Sequence, residues 1–307
     1  MVYNFLFHRV SPERDPLWDP MNTELFEKCI KYISKKFKVV LAEELYLQGK
    51  IDSKVKYATI MFDDGYKDNF EYALPILEKH NCKASFYVVT DCINENTPTW
   101  TYIIDYLFHH TKQVIKIDNQ ILKNLEAFHD ADLSTKELRI KFIKKLKPEL
   151  KKTDHKIRNR VIEYFQKVYN DVQIPKMMMN WDDLKIMMNK GHYIGSHTVT
   201  HPALSTISSI EVLKYELGAS KNEIAEKLGH ESLTISYPVG SHNDQVMEIS
   251  QKLGYKIGLA VKQNISNPEE HSLFDIPRIE LYNESWFKTK LRINHTLEKI
   301  KKIIRYK

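Results

Sequence analysis

The sequence has few cysteines and no long apolar segment. Its three cysteines, Cys29, Cys82 and Cys92, are odd in number and lack paired spacing, so they do not indicate a disulfide scaffold. No uninterrupted apolar run approaches the ~20 residues that a membrane helix needs. The apolar start, MVYNFLFHRV, is too short for the hydrophobic region of a signal peptide. We therefore expect a protein of a reducing compartment, with the cytoplasm as its location.

The rest of the composition is that of a soluble globular protein. The 307 residues are 42% hydrophobic and 28% charged, which predicts a sizeable core, and single α/β barrels often have this length. A formal charge of +6 is modest for this size and favours anionic surroundings without indicating nucleic acid. The lysine-rich segment of the chain also lacks the interleaved aromatic residues of a platform for single-stranded nucleic acid. We expect no nucleic-acid partner.

Short apolar strands alternate with helical segments over most of the chain. The predicted strands are rich in β-branched and aromatic residues, and they include Val2–Phe7, Tyr57–Phe62, Ala84–Thr90, Tyr193–Ser196 and Leu233–Tyr237. Strands that alternate with helices predict parallel βα units. The expected fold class is therefore α/β, as either an open doubly wound sheet or a closed barrel.

Two segments interrupt or extend this alternation. Residues from about 92 to 176 form a long, lysine-rich stretch with helical periodicity, in which Leu138, Phe142 and Leu146 keep i, i+4 spacing. We interpret this stretch as a helical insertion in one βα loop. Residues from about 284 to 307 are predicted to form a basic helix with an apolar stripe. This helix can either contact an anionic membrane surface peripherally or pack against the outside of the barrel.

Two adjacent carboxylates, Asp63 and Asp64, follow a predicted strand in the segment IMFDDGY. Asp-Asp-Gly is also typical of an ordinary surface turn, but two carboxylates in one pocket need a compensating cation or strong donors. His197 and His201 lie four residues apart after another predicted strand, and they can bind one cation together with a carboxylate. Such a set leaves zinc an open position for water, as in hydrolytic sites. If Asp64 is the third ligand, Asp63 is free to act as a base.

These segments carry a resemblance to a known family. FDDGY at Phe62–Tyr66 and SHTVTHP at Ser196–Pro202 resemble the first two motifs of the polysaccharide deacetylases, the NodB-homology or carbohydrate esterase family 4 enzymes. SYPVG at Ser236–Gly240 is similar to a variant of their third motif. The resemblance covers the chain apart from the insertion. It implies a single domain over 1–307 with a distorted (β/α)7 barrel, and an active site at the carboxyl ends of the strands.

The resemblance also implies a set of site residues. Asp64, His197 and His201 are expected to hold a divalent metal ion, with zinc as the expected ion. Asp63 is expected to take a proton from the attacking water. The backbone N–H of Val239 is expected to help hold the oxyanion that forms on the acetyl group.

The sequence departs from the family at two positions. The third motif usually begins with an arginine that orients the catalytic aspartate, but Ser236 occupies that position. Arg278, near the last predicted strand, can approach Asp63 from another direction or form a surface ion pair. The last family motif contributes a histidine as general acid, and no clean counterpart is present. We expect His8, at the end of the first strand, either to line the pocket or to be a core histidine.

The resulting functional hypothesis is a metal-dependent hydrolase that removes acetyl groups, most readily N-acetyl groups, from a sugar or a surface-polysaccharide precursor. One alternative keeps the site but acts on a non-sugar amide or an O-acetyl ester. A different class of function, a catalytically silent, metal-containing glycan-binding protein, is suggested by the two altered motifs. The expected partner is an acetylated sugar or glycan, which can be reached at the inner face of the cell membrane. The sequence does not indicate an oligomeric state.

Overall fold

The computed structural model describes residues 1–48, 51–267 and 272–296, and within these ranges eight parallel strands form one sheet. Their order is β7-β6-β5-β4-β3-β1-β8, and β2 pairs with the beginning of β3. A parallel bridge between Leu259 and Ile276 brings the two edges of the sheet together. The predicted distorted (β/α)7 barrel is confirmed. The strands are Val2–Phe7 (β1), Lys38–Val39 (β2), Tyr57–Phe62 (β3), Ser85–Val88 (β4), Tyr193–Ser196 (β5), Thr234–Ser236 (β6), Ile257–Leu259 (β7) and Ile279–Glu280 (β8).

Helices follow most of the strands, and several begin or end at the residues that local chemistry favours. Asn180 and Asp183 form a reciprocal capping box at the start of the helix that precedes β5. Gly229, with φ +64°, ends the long helix before β6. The helices are Thr23–Lys36 (α1), Ala42–Gln48 (α2), Leu74–Lys79 (α3), Thr90–Glu95 (α4), Trp100–His110 (α5), Lys136–Leu150 (α6), His155–Val168 (α7), Trp181–Asn189 (α8), Ile210–Leu228 (α9), Asp244–Lys252 (α10) and Trp286–Ile293 (α11).

Both faces of β3 are buried, and this explains its continuous apolar sequence. Tyr57 and Met61 belong to the apolar cluster inside the barrel, whereas Ile60 and Phe62 belong to the cluster between the sheet and the outer helices. Side chains alternate along a strand, so the next residue, Asp63, falls on the inner face. The alternation therefore directs the first carboxylate toward the barrel mouth.

A buried carboxylate closes the opposite end of the barrel. Glu43, in the first turn of α2, accepts hydrogen bonds from Ser85 Oγ at 2.7 Å, Tyr87 Oη at 2.9 Å and Thr234 Oγ1 at 2.8 Å. Burial raises the pKa of Glu43, although these donors act in the opposite direction. The hydroxyl groups come from β4 and β6, so Glu43 links two strands at their amino ends.

The long connection between β4 and β5 is helical, as predicted, and contains α4 to α8. Helices α5, α6 and α7 enclose an apolar cluster of their own, which includes Phe108, Phe142 and Phe165. The indole Nε1–H of Trp100 donates to the backbone oxygen of His201 at 2.9 Å and so joins this insertion to the barrel mouth.

The predicted extent of the insertion, about 92–176, and the assignment of 1–307 to a single domain stay predictions. Of the predicted basic helix over about 284–307, the structure describes α11, and residues 297–307 lie outside the described ranges. No helix in the described ranges is both long and apolar enough to span a membrane.

Candidate active site

The corner after β3 holds both aspartates inside the protein. Asp63 and Asp64 are each 2% exposed, so the interpretation of this segment as an ordinary surface turn is wrong. Asp64 adopts φ +75° and Gly65 φ +91°, which turns the chain sharply at the end of the strand. A Cβ at Gly65 would lie 3.0 Å from Ile93 Cδ1 and 3.1 Å from Val88 Cγ1, so this corner needs glycine for both conformation and space.

The loop after β5 brings two imidazoles to Asp64. The Nε2 atoms of His197 and His201 lie 3.5 Å and 3.3 Å from Asp64 Oδ1. The three residues are buried, and one donor atom from each lies within 4.8 Å of the others. Ligands at 2.0–2.1 Å around a tetrahedral zinc ion are separated by about 3.3 Å, so this donor set fits such an ion. The structure therefore contains a candidate metal site of the composition that the sequence suggested.

The two histidines differ in their surroundings. His197 Nδ1 lies 2.7 Å from the backbone oxygen of Ser236, so Nδ1 carries a proton and Nε2 is the atom that faces Asp64. Burial opposes protonation of His197, but the charges of Asp63 and Asp64 outweigh it and raise its pKa, so a cation bound at Nε2 displaces a proton. Burial lowers the pKa of His201 to about 3, which keeps that imidazole neutral. Its Nδ1 atom is buried and has no hydrogen-bond partner among the described residues.

Asp63 has different neighbours from Asp64. Arg278, which is fully buried, donates from Nη1 to Asp63 Oδ1 and from Nη2 to Asp63 Oδ2, both at 2.8 Å. Ser236 Oγ lies 3.1 Å from both carboxylate oxygens and accepts from Arg278 Nη2 at 3.0 Å. Burial opposes ionisation, but the charges of Arg278 and His197 outweigh it and hold the pKa of Asp63 well below its usual range. Asp63 is therefore a carboxylate at neutral pH.

Val239 lies in the loop after β6 at the edge of the same cavity. It adopts φ +51°, an unusual conformation for a β-branched residue, and it is 40% exposed. In the described part of the chain no acceptor takes its backbone N–H. The N–H is therefore free to donate to a ligand.

A cavity of about 350 Å³ unites these groups at the carboxyl ends of the strands. Six of the seven predicted site residues line it, and Arg278 lies behind Asp63. His8 is one of the six, with its Nδ1 3.5 Å from Glu280 Oε1. Trp18 and Tyr102 add aromatic surface to the cavity wall. The volume lies at the lower end of the ~300–1,000 Å³ range of ligand pockets, which suits a small ligand or one unit of a larger one.

One residue of the site was missed at the level of sequence. Glu216 of α9 is 2% exposed, and it accepts from the backbone N–H groups of Val199 and Thr200 at 3.0 Å and from Thr200 Oγ1 at 2.6 Å. It thereby fixes the loop between His197 and His201. A glutamate beside Leu217 on the apolar face of an amphipathic helix is the signal that marks such a residue.

The wall that the insertion contributes was also missed. Thr101, Tyr102 and Asp105 of α5 line the cavity, and so do Lys147 of α6 and Lys151 just beyond its end. Helical periodicity predicts that such residues share a helix face, but not that this face covers the barrel mouth.

The fold and the site together define a class of protein, namely a parallel α/β barrel with a candidate Asp-His-His metal centre at the carboxyl ends of its strands. Residues 50–258 match the family model described as polysaccharide deacetylase, and this chain belongs to that family.

Individual relatives are distant. The uncharacterized 30.6 kDa protein in the fumA 3′ region of Geobacillus stearothermophilus is 26% identical over 181 residues, covering 56% of this chain and 64% of that protein. YxkH of Bacillus subtilis is 19% identical over 248 residues, covering 80% of this chain and 60% of that protein. The chain thus spans less than two thirds of the length of either relative.

Solved structures show the same fold. The Streptococcus pyogenes deacetylase PplD, determined in complex with acetate, superimposes with a TM-score of 0.64 at 18% identity, covering 95% of this chain and 97% of that one. IcaB from Ammonifex degensii gives a TM-score of 0.63 at 15% identity, with 95% and 96% covered.

Proposed function

We propose that this protein is a metal-dependent deacetylase that removes N-acetyl groups from a sugar or a surface-polysaccharide precursor. The observation that carries the proposal is the convergence of Asp64, His197 and His201 beside the ionised Asp63 in one cavity. Membership of the polysaccharide deacetylase family supports the substrate class. The acetate complex of the similarly folded PplD supports an acyl-transfer reaction to water.

In this proposal Asp64, His197 and His201 hold a divalent ion, with zinc as the expected ion. When bound, such an ion supplies Lewis acidity toward the acetyl carbonyl and lowers the pKa of water. The buried His201, held neutral, is in the form that ligation requires, and His197, with its Nδ1–H fixed by Ser236, offers Nε2 to the ion once that nitrogen gives up its proton.

The chain's own groups then carry the proton transfers. Asp63 accepts a proton from the attacking water as the new C–O bond forms at the acetyl carbon. Arg278 and Ser236 hold both oxygens of Asp63 in place, which restricts the direction from which it can accept this proton. The free N–H of Val239 donates to the carbonyl oxygen as negative charge develops there.

The leaving nitrogen also needs a proton when the C–N bond breaks. His8 is the cavity histidine outside the candidate ligand set, and Glu280 lies 3.5 Å from its Nδ1. We therefore assign His8 as the proton donor, so that acetate and a free amine are the products.

Acetate release from a panel of N- and O-acetylated sugars tests the proposal. Zinc-loaded protein should release acetate from N-acetylated sugars, whereas chelator-treated protein and Asp63→Asn should lose at least about a hundredfold in rate, as expected for a general base. Release from O-acetyl sugars alone would support the esterase alternative. If no sugar yields acetate while zinc stays bound, the silent glycan-binding function is supported instead.

We further propose that the enzyme works in the cytoplasm at the membrane face, on precursors that carry the acetylated sugar. The observation in favour of the membrane contact is the 73% exposed Phe287 on α11, with Lys288 next to it and Lys290 one helical turn further on. Sedimentation with anionic liposomes tests this contact. Equal sedimentation of the full chain and of a Phe287→Ser variant would contradict it.

A further inference from the structure

The insertion presents two lysines to the cavity. Helix α6 turns Phe142 and Leu146 into the apolar cluster of the insertion, while Lys147, and Lys151 one turn later, lie on the side that lines the cavity. Lys151 lines the same cavity as the candidate ligands Asp64, His197 and His201.

Of the two lysines in the cavity wall, Lys147 pairs with Asp105, whereas Lys151 has no carboxylate within 4.0 Å among the described residues. The pairs within 4.0 Å are Asp63 with Arg278, Asp105 with Lys147, and Glu280 with His8. Asp64 lies between the two histidines of the candidate metal site. Within the described ranges no carboxylate lies within 4.0 Å of the Lys151 ammonium. One cation of the cavity is thus available to a ligand.

A lysine at the end of a helix also interacts favourably with the helix dipole. That interaction does not require the ammonium to line the cavity, and the neighbouring Lys152 shows the ordinary arrangement. Lys152 has a side chain that is 75% exposed, interacts with Glu149 at 3.5 Å, and is not part of the cavity wall. Lys151 is also exposed, but unlike Lys152 it lines the cavity and has no carboxylate within 4.0 Å in the described part of the chain.

We infer that the acetylated sugar carries an anionic group, a phosphate or a carboxylate, and that Lys151 binds this group while the acetyl group lies at Asp63 and Asp64. This inference rests on the proposed function and specifies its substrate class. An ammonium and an anionic oxygen form a charge-assisted hydrogen bond, which is stronger than a bond to a neutral sugar hydroxyl. Lys151 acts here as a specificity-determining residue, and no proton transfer is assigned to it.

Three acetylated hexosamines of different charge test the inference. N-acetylglucosamine is the neutral probe, N-acetylglucosamine 1-phosphate carries a phosphate, and N-acetylmuramic acid carries a carboxylate. Acetate release gives kcat and KM for zinc-loaded wild type, Lys151→Met and the matched control Lys152→Met. Calorimetry gives the affinity of the same sugars for the same three proteins, independently of turnover.

In the wild type, at least one anionic sugar should have about a tenfold lower KM than the neutral sugar, which corresponds to about 1.4 kcal/mol. Lys151→Met should lose this preference, and Lys152→Met should keep it. The phosphate and carboxylate probes then show which anion is preferred.

Two results would overturn the inference. One is equal affinity of the wild type for neutral and anionic sugars. The other is a preference that persists in Lys151→Met, because the anion would then bind to the metal ion or to another group. If no sugar yields acetate, the proposed function fails, and the calorimetric comparison alone decides whether Lys151 binds an anion.

Discussion

Replacement of Arg278 by methionine tests how the protein keeps Asp63 ionised. The guanidinium donates to both Asp63 oxygens at 2.8 Å, to Ser236 Oγ at 3.0 Å and, from Nε, to the backbone oxygen of Ala260 at 3.1 Å. Methionine keeps much of the side-chain volume but none of these donors. Asp63 would then be a buried carboxylate whose main neutralising charge is gone.

Removal of one partner from a buried ion pair costs about 3–5 kcal/mol, because the remaining charge is left without compensation. Uptake of a proton by Asp63 relieves this cost. Since one pKa unit corresponds to about 1.36 kcal/mol, the pKa of Asp63 should rise by roughly 2–4 units. In the wild type this pKa lies below its unfolded value, so the contribution of Asp63 to stability is lost as the pH falls through the folded pKa. If the pKa of Asp63 in the variant exceeds its unfolded value, the pH dependence reverses, and the contribution of Asp63 to stability is lost as the pH rises.

The pH dependence of acetate release and urea unfolding measure the two effects. The acid limb of kcat/KM should move to higher pH in Arg278→Met. In Arg278→Lys the acid limb should lie at a pH between those of Arg278→Met and the wild type. Arg292→Met is the matched control, because Arg292 is 5% exposed and forms hydrogen bonds of 2.9 Å and 3.2 Å with Glu284 outside the cavity. It should lose stability without moving the acid limb. An unchanged pH profile and rate in Arg278→Met would refute the assignment of Arg278 as the residue that orients Asp63.

Three further changes probe the site and its support. Glu216→Gln should weaken zinc binding by about 10–100-fold in chelator competition, because the loop between the histidines loses its charged acceptor; unchanged affinity would make the glutamate merely structural. His8→Gln should slow the hydrolysis of an N-acetyl sugar far more than that of an aryl acetate, whose leaving group needs no proton; equal losses would rule His8 out as the proton donor. Glu43→Gln should stabilise the fold more at pH 8 than at pH 5, as measured by urea unfolding. Burial raises the pKa of Glu43 above its unfolded value, so the contribution of this acid to stability is lost as the pH rises. An equal effect of the substitution at both pH values would contradict this.

The sequence predicted those features of the site that depend on the ends of strands. The β-branched runs identified β3 and β5, and residues that follow parallel strands lie at one edge of a sheet, so Asp63, Asp64 and the histidine pair could be placed together in advance. The approach of Arg278 to Asp63 was one of two alternatives, because 215 residues separate them in the chain. Closure of the barrel, which brings β8 beside β1, is what selects between the alternatives.

The contributions of α6 and α9 could not be derived in this way. Periodicity assigns Glu216 and Lys151 to faces of their helices, but the surface that each face meets depends on the packing angle of the whole helix. For Lys151 this angle is set by the apolar cluster of the insertion and by the bond from Trp100 to His201. Such contacts depend on tertiary structure, and local sequence carries only a weak signal of them.

Backbone strain explains why the site needs this tertiary support. Asp64, Thr198, His201 and Val239 all have φ between +51° and +75°, in a region that costs non-glycine residues of order 1–3 kcal/mol each. Such conformations persist only where the surroundings over-determine them. Glu216 hydrogen-bonds the two residues that follow Thr198, and Trp100 binds the backbone oxygen of His201. Helix α5 of the insertion and helix α9 therefore stabilise the strained loop that presents the two histidines. A substitution at Trp100 or Glu216 should thus lower metal affinity more than it lowers the stability of the barrel.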